Sequence, residues 1–192
     1  MSHGVETVAI PAFLNKSLIP NVSALMTEKV SAVLSQNTTL KITSGNSKTT
    51  DATLIGIISS ETKRNDFLKT DTTTLVNDSF SPELSKRREF YAPSVTSYKL
   101  NLYLVLIKRP NAQDMQLINS DFKNFIQNHP KVVFSKNISL TKSFTRVIGA
   151  SDNPDNAGSV NSTKNREVFN KSVESLAADA ASSFRETVIN AF

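Results

Sequence analysis

Hydrophobic and polar residues alternate with a period of two along several segments of the chain. The strongest of these segments is 97–108, where Leu100, Leu102 and Leu104 fall on one face. Other segments have strand-like composition or the same period; they are 5–13, 39–45, 51–60 and 131–149. Because successive side chains of a strand point to opposite faces of a sheet, these patterns predict β-strands.

Two other segments carry apolar residues at the spacing of three or four positions that is typical of amphipathic helices. The first covers about 21–36, and the side-chain oxygen of Asn21, which follows Pro20, is predicted to cap its first turn. The second runs from about 165 to 191, and its apolar stripe is Phe169, Val173, Leu176, Ala177, Ala180, Phe184, Val188 and Ala191. Each stripe needs an apolar partner, so both helices are predicted to pack on the sheet.

The simplest fold that buries both stripes is an α+β two-layer sandwich, with two long helices on one face of a mostly antiparallel or mixed sheet of about four strands. At 192 residues, the chain is long enough for one core and short for two, so 5–192 is predicted to be a single domain. The pattern fades near 61–96 and 110–130, which are predicted to be long loops, with a mobile hairpin as the alternative for 61–96. Residues 1–4, MSHG, are interpreted as a remnant of an expression tag.

Positive charge is concentrated in one part of the sequence. Residues 86–148 contain eleven Lys or Arg and three acidic residues, a net charge of +8, whereas the rest of the chain has a net charge of −3. A basic segment on a mildly acidic body indicates a polyanionic partner, such as a phosphate-bearing lipid, a membrane surface or a nucleic acid. The alternative is a solvated face with surplus lysines, and charge alone does not choose between the two.

Residues that could perform catalysis are scarce. The chain has no cysteine and two histidines, His3 in the MSHG segment and His129 in a predicted loop. Motifs of zinc proteases, serine hydrolases and phosphate-binding loops are absent from the sequence. The sequence therefore predicts a protein that is not an enzyme and that has no cofactor, metal site or catalytic residue. A nucleic-acid partner is not expected either, because Tyr98 and Tyr103 lie on opposite faces of their strand and no binding motif accompanies them.

Several stretches resemble, in their order and spacing, the lipopolysaccharide-assembly lipoproteins of the LptE family. These stretches are VAIPAFLNKSLIPNVSALMTEKVSAVLS, DATLIGIIS, VVFSKNISLTKSFT, and DNPDNAGS with the helix that follows it. The residues that match the family's pattern are Pro11, Phe13, Asn15, Leu25, Met26, Thr27, Phe134, Ser135, Asn137, Leu176, Ala177 and Asp179. Ser23 stands where the family's helix usually has an acid, and neither predicted loop matches the family.

The resemblance implies a specific function. Members of the LptE family are anchored to the inner leaflet of the outer membrane by a lipid on an N-terminal Cys, which this sequence lacks. They form an αβ sandwich, lie as a plug inside the β-barrel translocon LptD, help to assemble it, and help to deliver lipopolysaccharide to the cell surface. This chain is therefore expected to be a lipid-anchored lipoprotein at the periplasmic face of the outer membrane, with LptD and lipopolysaccharide as partners. The alternatives are another envelope lipid-binding or carrier module and, with less support, a nucleic-acid-binding domain.

Six cations are the candidate residues for binding lipopolysaccharide or another anion: Lys86, Arg87, Arg88, Lys99, Lys136 and Lys142. Lipid A phosphates are dense anions that ammonium groups bind through charge-assisted hydrogen bonds. Strand alternation places Lys136 and Lys142 on the face of Phe134 and Ile138, an apolar face that carries cations. The alternatives are that Lys136 marks an edge strand, where lysine blocks unwanted pairing, and that 86–88 is a solubilising loop tip.

Overall fold

The computed structural model describes residues 4–45, 49–60, 68–76, 90–120, 122, 125, 129–148 and 162–191. Within these ranges the chain forms seven strands and three helices. The strands are β1 (Thr7–Ile10), β2 (Leu14–Lys16), β3 (Lys41–Ser44), β4 (Ala52–Ser60), β5 (Lys69–Val76), β6 (Phe90–Lys108) and β7 (Val132–Thr145). The helices are α1 (Val22–Asn37), α2 (Ala112–Ser120) and α3 (Ser162–Ala191).

The seven strands form one mixed sheet. Five of them follow the order β3-β1-β4-β6-β5, while β2 pairs with β4 and β7 pairs with β6. β1 is parallel to β3 and β4, and β2 is parallel to β4. β6 is antiparallel to β4 and β5, with Thr53 opposite Ile107 and Thr70 opposite Thr96.

The predicted number of elements is wrong. Among the residues that the structure describes, the sheet has seven strands instead of about four, and α2 is a third helix beside the two that the sequence predicts. α2 lies within 110–130, which is predicted to be a loop. β5 lies within 61–96, where a hairpin is the alternative to a loop, and its antiparallel pairing with the start of β6 corresponds to that alternative. The sequence of β5, KTDTTTLV, has four threonines and only two apolar residues, so apolar alternation cannot reveal it even though threonine favours strands. β2 is too short, at three residues, to show a period.

The chain divides into two compact units. The first consists of Met1–Glu61, Leu100–Leu140 and Ala177–Phe192, and the second of Thr62–Lys99 and Thr141–Leu176. β6, β7 and α3 each contribute residues to both units. The single domain at 5–192 stays a prediction, and each unit is described separately below.

In the first unit, both faces of β4 are buried. Leu54 and Ile58 on one face and Ile55 and Ile57 on the other are all inaccessible or nearly so. The second face is covered by α2 and the segment after it, in a cluster of Ile55, Ile57, Val105, Ile107, Ile118 and Phe125. Burial on both sides explains why ATLIGII in β4 is almost continuously hydrophobic and does not alternate with polar residues.

Phe13 joins α1 to the first face of β4. Its ring lies against Gly56, where an added Cβ atom would be 2.4 Å from the Cγ atom of Phe13. The backbone N–H of Phe13 donates a hydrogen bond to the Thr27 hydroxyl at 2.9 Å, and the Ser23 hydroxyl donates to the Phe13 carbonyl. Glycine at position 56 is therefore required by the close approach of an aromatic ring.

α1 begins after Asn21, as the sequence predicts, but the predicted side-chain cap is wrong. Asn21 makes no side-chain capping hydrogen bond and adopts a left-handed backbone conformation with φ 59°. Asparagine tolerates this conformation better than most residues do. Asn21 therefore contributes to the turn before α1 through its backbone conformation and not through a side-chain cap.

The C-terminal part of α3 packs on β7 in the first unit. Phe184 is fully buried, and its ring stacks on that of Phe134 with 6.3 Å between centroids. Ala177 and Ala180, on the same stripe, are also fully buried. Small side chains on this stripe allow the helix backbone to come close to the elements beneath it.

The second unit has an aromatic core of its own. The rings of Tyr98, Phe144 and Phe169 lie 5.6 to 6.4 Å apart in tilted and edge-to-face arrangements. The Tyr98 and Ser172 hydroxyl oxygens form a buried hydrogen bond of 2.9 Å between β6 and α3. Aromatic pairs with this geometry and a satisfied buried hydroxyl give this unit a specific packing arrangement.

Candidate anion-binding grooves

Lys136 borders an open groove between β7 and α3 in the first unit, which we call the Lys136 groove. Its volume is about 510 Å³, and its described lining is Lys136, Asn137, Ile138, Ser139, Ser183, Glu186 and Thr187. Lys136 is exposed, and among the residues that the structure describes it makes no hydrogen bond or ion pair. The described lining holds one cation and one anion, Lys136 and Glu186, so its formal charge is zero.

Lys136 also lies on an edge of the sheet, because β7 pairs only with β6 among the described strands. Along β7, Ile138 and Leu140 are buried, whereas the alternate residues Ser139 and Thr141 are exposed. By this alternation Lys136 belongs to the face of Ile138 and Leu140, but its own side chain is exposed. A lysine at such a position prevents edge-to-edge pairing with another sheet. The edge-strand interpretation and ligand binding are compatible, since both require an accessible ammonium group.

The other five predicted cations lie elsewhere in the chain. Lys99 and Lys142 belong to the second unit, where Lys99 is exposed and Lys142 is half-buried, and neither is without an interaction partner. Lys86, Arg87 and Arg88 lie outside the described residues. Anion binding by these five residues stays a prediction.

A second open groove, the Arg109 groove, lies where β6 ends and β7 begins in the first unit. It also has a volume of about 510 Å³, and its described lining is Lys108, Arg109, Pro130, Lys131, Val132 and Val133. Three of these six residues are cations and none is acidic. The Lys108 N–H donates to the Lys131 carbonyl at 2.9 Å, so these two residues are cross-strand neighbours.

Asp51 holds Arg109 and the start of β1 together. Its carboxylate accepts hydrogen bonds from the N–H groups of Glu6 and Thr7 and from the Thr7 hydroxyl, at 2.9 to 3.1 Å, and it contacts the Arg109 guanidinium at 3.3 Å. The pKa of Asp51 is lowered to about 2, mainly by the hydrogen bond from Glu6 and then by those from Thr7. Desolvation acts in the opposite direction and raises the pKa, and Arg109 lowers it by a smaller amount. The carboxylate is therefore ionised at neutral pH and joins β1, β4 and the Arg109 groove.

Asp51→Asn is expected to destabilise the protein at neutral pH and to matter less as the pH falls. Because the folded pKa of Asp51, about 2, lies below its ordinary value of 3.8, the stabilisation is complete above 3.8 and is lost as the pH falls towards 2. Thermal melting of parent and variant between pH 7 and pH 2 should show a constant difference in Tm at the upper end that shrinks below about pH 4.

Asp71→Asn is the matched control for this experiment, since Asp71 is an exposed carboxylate on β5 with no hydrogen bond among the described residues. Its Tm should follow the parent at every pH. A Tm difference for Asp51→Asn that does not change with pH would contradict the role assigned to the carboxylate charge.

Asp114 positions a second cation of the Arg109 groove. Its side chain, only 6% exposed, accepts hydrogen bonds from Lys131 Nζ at 2.7 Å and from the Asn111 N–H at 2.8 Å, and it lies 3.3 Å from His129 Nε2. Burial alone would raise the pKa of Asp114. The pKa is nevertheless lowered, because the hydrogen bonds from Lys131 and Asn111 and the positive charges of Lys131 and His129 together outweigh burial. Asp114 N–H donates to Asn111 Oδ1 at 2.8 Å, so the two residues also cap the start of α2.

The residues of the Arg109 groove are not singled out by the sequence analysis. They belong to the basic segment 86–148, but Lys108 and Lys131 are far apart in the sequence and become neighbours only through the pairing of β6 with β7. Among the described residues, no group of three or more His, Cys, Asp or Glu side chains is arranged to hold a metal ion. Among the same residues, no helix combines the length and apolarity needed to cross a bilayer.

The sequence matches no protein-family model and no curated protein. Several solved structures are similar at low identity. The crystal structure of rare lipoprotein B from Shewanella oneidensis is 11% identical, with a TM-score of 0.38 over 94% of this chain and 97% of that one. Lipoprotein GNA1162 from Neisseria meningitidis is 12% identical, with a TM-score of 0.38 over 89% of this chain and 97% of that one. The PelC dodecamer from Paraburkholderia phytofirmans is 12% identical, with a TM-score of 0.40 over 92% of this chain and 86% of that one.

Two of these three neighbours are lipoproteins by name. At identities of 11 to 12% and TM-scores of 0.38 to 0.40, these similarities do not indicate what this chain binds or does. Its function has to be argued from its own residues.

Proposed function

We propose that the chain is a non-enzymatic outer-membrane lipoprotein subunit that plugs a β-barrel lipopolysaccharide translocon of the LptD kind. In this role it helps to assemble the barrel and assists delivery of lipopolysaccharide to the cell surface. The proposal starts from the LptE-like order of stretches at the two ends of the sequence. It places the chain at the periplasmic face of the outer membrane, held there by a lipid anchor.

The observation that carries the lipopolysaccharide part of the proposal is the Lys136 groove. A phosphorylated glycolipid needs a cation for its phosphate, hydroxyl groups for its sugar and apolar contact for its chains. The groove offers the accessible ammonium of Lys136 and the hydroxyls of Ser139, Ser183 and Thr187, but little apolar surface, since Ile138 is almost completely buried. Glu186 in the same lining repels anions, so the attraction for an anion must come from the Lys136 ammonium.

The competing function is a carrier that encloses the acyl chains of a lipid. Such a carrier needs a closed apolar cavity large enough for those chains. The two grooves described above are open and have charged residues in their lining, and the largest core side chains, such as Met26, Leu104 and Phe184, are fully buried. Within the described residues, open surface grooves and fully buried core side chains favour the plug over the carrier.

Lys136→Glu is expected to weaken the binding of lipopolysaccharide by about tenfold, since a charge-assisted hydrogen bond is worth about 1.5 kcal/mol and the new carboxylate repels phosphate. Binding of purified lipopolysaccharide to the full chain, measured by a fluorescence titration, tests this. The melting temperature should stay near that of the parent because Lys136 is exposed. Adding Lys142→Glu to this variant tests the predicted pair.

Lys41→Glu is the matched control, because Lys41 is an exposed cation on β3, which is also an edge strand among the described strands. It changes the net charge of the protein by the same amount. Unaltered binding in Lys136→Glu, or an equal loss in Lys41→Glu, would remove the Lys136 groove from the proposal.

The barrel partner and the lipid anchor are tested on the protein isolated from native outer membranes. A large β-barrel protein should co-purify with it in a stable ratio, and mass spectrometry should find a lipid-modified N-terminus. Recovery of the chain from the membrane fraction without any barrel protein would contradict the plug function.

A further inference from the structure

The Arg109 groove concentrates positive charge at one end of the β6–β7 pair. Its described lining contains Lys108, Arg109 and Lys131 and no acidic residue. Lys108 and Lys131 are cross-strand neighbours, joined by the 2.9 Å hydrogen bond from the Lys108 N–H to the Lys131 carbonyl. Even when Asp51 and Asp114, which contact Arg109 and Lys131, are counted with the three cations, the formal charge is +1, which favours an anion as the ligand.

Carboxylates fixed by backbone N–H groups position two of these cations. Asp51 is held by the N–H groups of Glu6 and Thr7 and contacts one N–H group of the Arg109 guanidinium, whose side chain remains 75% exposed. In the same way, Asp114 accepts a hydrogen bond from the backbone N–H of Asn111 and another from the Lys131 ammonium. A guanidinium has five N–H donors and an ammonium has three, so each cation keeps donors for a ligand.

The backbone of Arg109 is held in a conformation that side chains rarely adopt. Its φ is 41°, in the left-handed region, and its N–H donates to the Asp51 carbonyl at 3.0 Å. Backbone hydrogen bonding and the contact between the guanidinium and Asp51 together fix both ends of this residue. Such strain, maintained by surrounding contacts, occurs often where a side chain must be presented to a ligand.

We propose that the Arg109 groove binds a phosphate group, with Arg109 and Lys131 as the positioned donors. The planar guanidinium matches two phosphate oxygens, and the Lys131 ammonium supplies a second charge. Pro130, Val132 and Val133 give the same groove an apolar flank, so a phosphate carried by a lipid would gain contacts that free phosphate lacks. This site is separate from the Lys136 groove, and the proposal does not depend on the translocon function.

The test uses the full chain and two probes. Inorganic phosphate is titrated while the backbone N–H signals of 108, 109 and 131–133 are followed by NMR. Vesicles of phosphatidylglycerol and phosphatidylcholine are compared with vesicles of phosphatidylcholine alone by co-sedimentation at low and high salt. Phosphate should shift these signals, and binding to the anionic vesicles should weaken as salt is added.

Arg109→Gln should weaken the binding of each probe that binds by about tenfold, the effect of losing a charge-assisted hydrogen bond. Lys41→Gln, an equal loss of charge on an exposed strand residue, should leave binding unchanged. Lys131→Gln alone would leave the buried Asp114 without its cation, so Lys131 is tested in the double variant Asp114→Asn with Lys131→Gln.

Binding of inorganic phosphate alone would assign the site to free phosphate, and binding of both probes would assign it to a lipid headgroup; either result supports phosphate recognition. The proposal is overturned if neither probe binds, or if Arg109→Gln binds as the parent does. Loss of lipopolysaccharide binding in Lys136→Glu with phosphate binding intact would show that the two grooves act independently.

Discussion

Phe184→Asp is expected to abolish cooperative unfolding of the protein. Phe184 is fully buried in α3, and its ring stacks on that of Phe134. Removal of a buried aromatic ring costs about 3–5 kcal/mol, and a carboxylate in an apolar site adds several more. Because a folded domain is stable by only about 5–15 kcal/mol, this loss is comparable to the whole free energy of unfolding. Thermal and urea unfolding followed by circular dichroism should show no cooperative transition.

Ser182→Asp is the matched control, since position 182 is exposed on the same helix and receives the same charge. Its melting temperature should stay within a few degrees of the parent's, because surface substitutions usually change stability by less than about 0.5 kcal/mol. If Phe184→Asp melts like the parent, the packing of α3 described above is incorrect.

Gly56→Ala is expected to lower the free energy of unfolding by about 2 kcal/mol, which corresponds to roughly 5 °C in Tm for a chain of this size. The added Cβ would lie 2.4 Å from Cγ and 2.6 Å from both Cδ atoms of the Phe13 ring. The ring cannot easily move away, because Phe13 is buried and its backbone is hydrogen-bonded to Thr27 and Ser23 of α1. Overpacking of this kind shifts the backbone or forces a strained rotamer.

The same substitution in a Phe13→Ala background provides the internal control. With the ring removed, an alanine at position 56 has nothing to collide with, and the greater chain entropy of glycine in the unfolded state makes alanine neutral or slightly favourable. A double-mutant cycle by urea unfolding should therefore give a coupling energy of about 2 kcal/mol. An equal cost of Gly56→Ala in both backgrounds would show that the ring is not the cause.

The elements that the sequence predicts well are those with long periodic patterns. The alternation in 97–108 and the stripe from Phe169 to Ala191 correspond to β6 and α3, because a single face of each is dominated by side chains that must be buried. β5 is expected only as part of the alternative hairpin in 61–96, because four of its eight residues are threonines, whose hydroxyls give no apolar signal. α2 is missed because, in nine residues, it has only two or three apolar positions with which to show a period.

Of the two candidate grooves, only the feature that lies on a single strand, the position of Lys136, can be predicted from the sequence. Lys136 interrupts the apolar face of its own strand, so its unusual position can be read from the local sequence. The Arg109 groove depends on the register between two strands, which places Lys108 beside Lys131, and on the carboxylates of Asp51 and Asp114. Register and long-range ion pairs are properties of the tertiary fold, and no local pattern encodes them.

The layer formed by α2 has a consequence for how a large partner could approach. In the first unit β4 is covered on both faces, with Leu54 fully buried and Ile55 nearly so although they point in opposite directions. Neither face of β4 is left for a partner protein to lie against, whereas β3 and β7 keep exposed strand residues such as Lys41 and Lys136. A protein that contacts the sheet of this unit would therefore meet its outer strands β3 and β7, and β4 would stay out of reach.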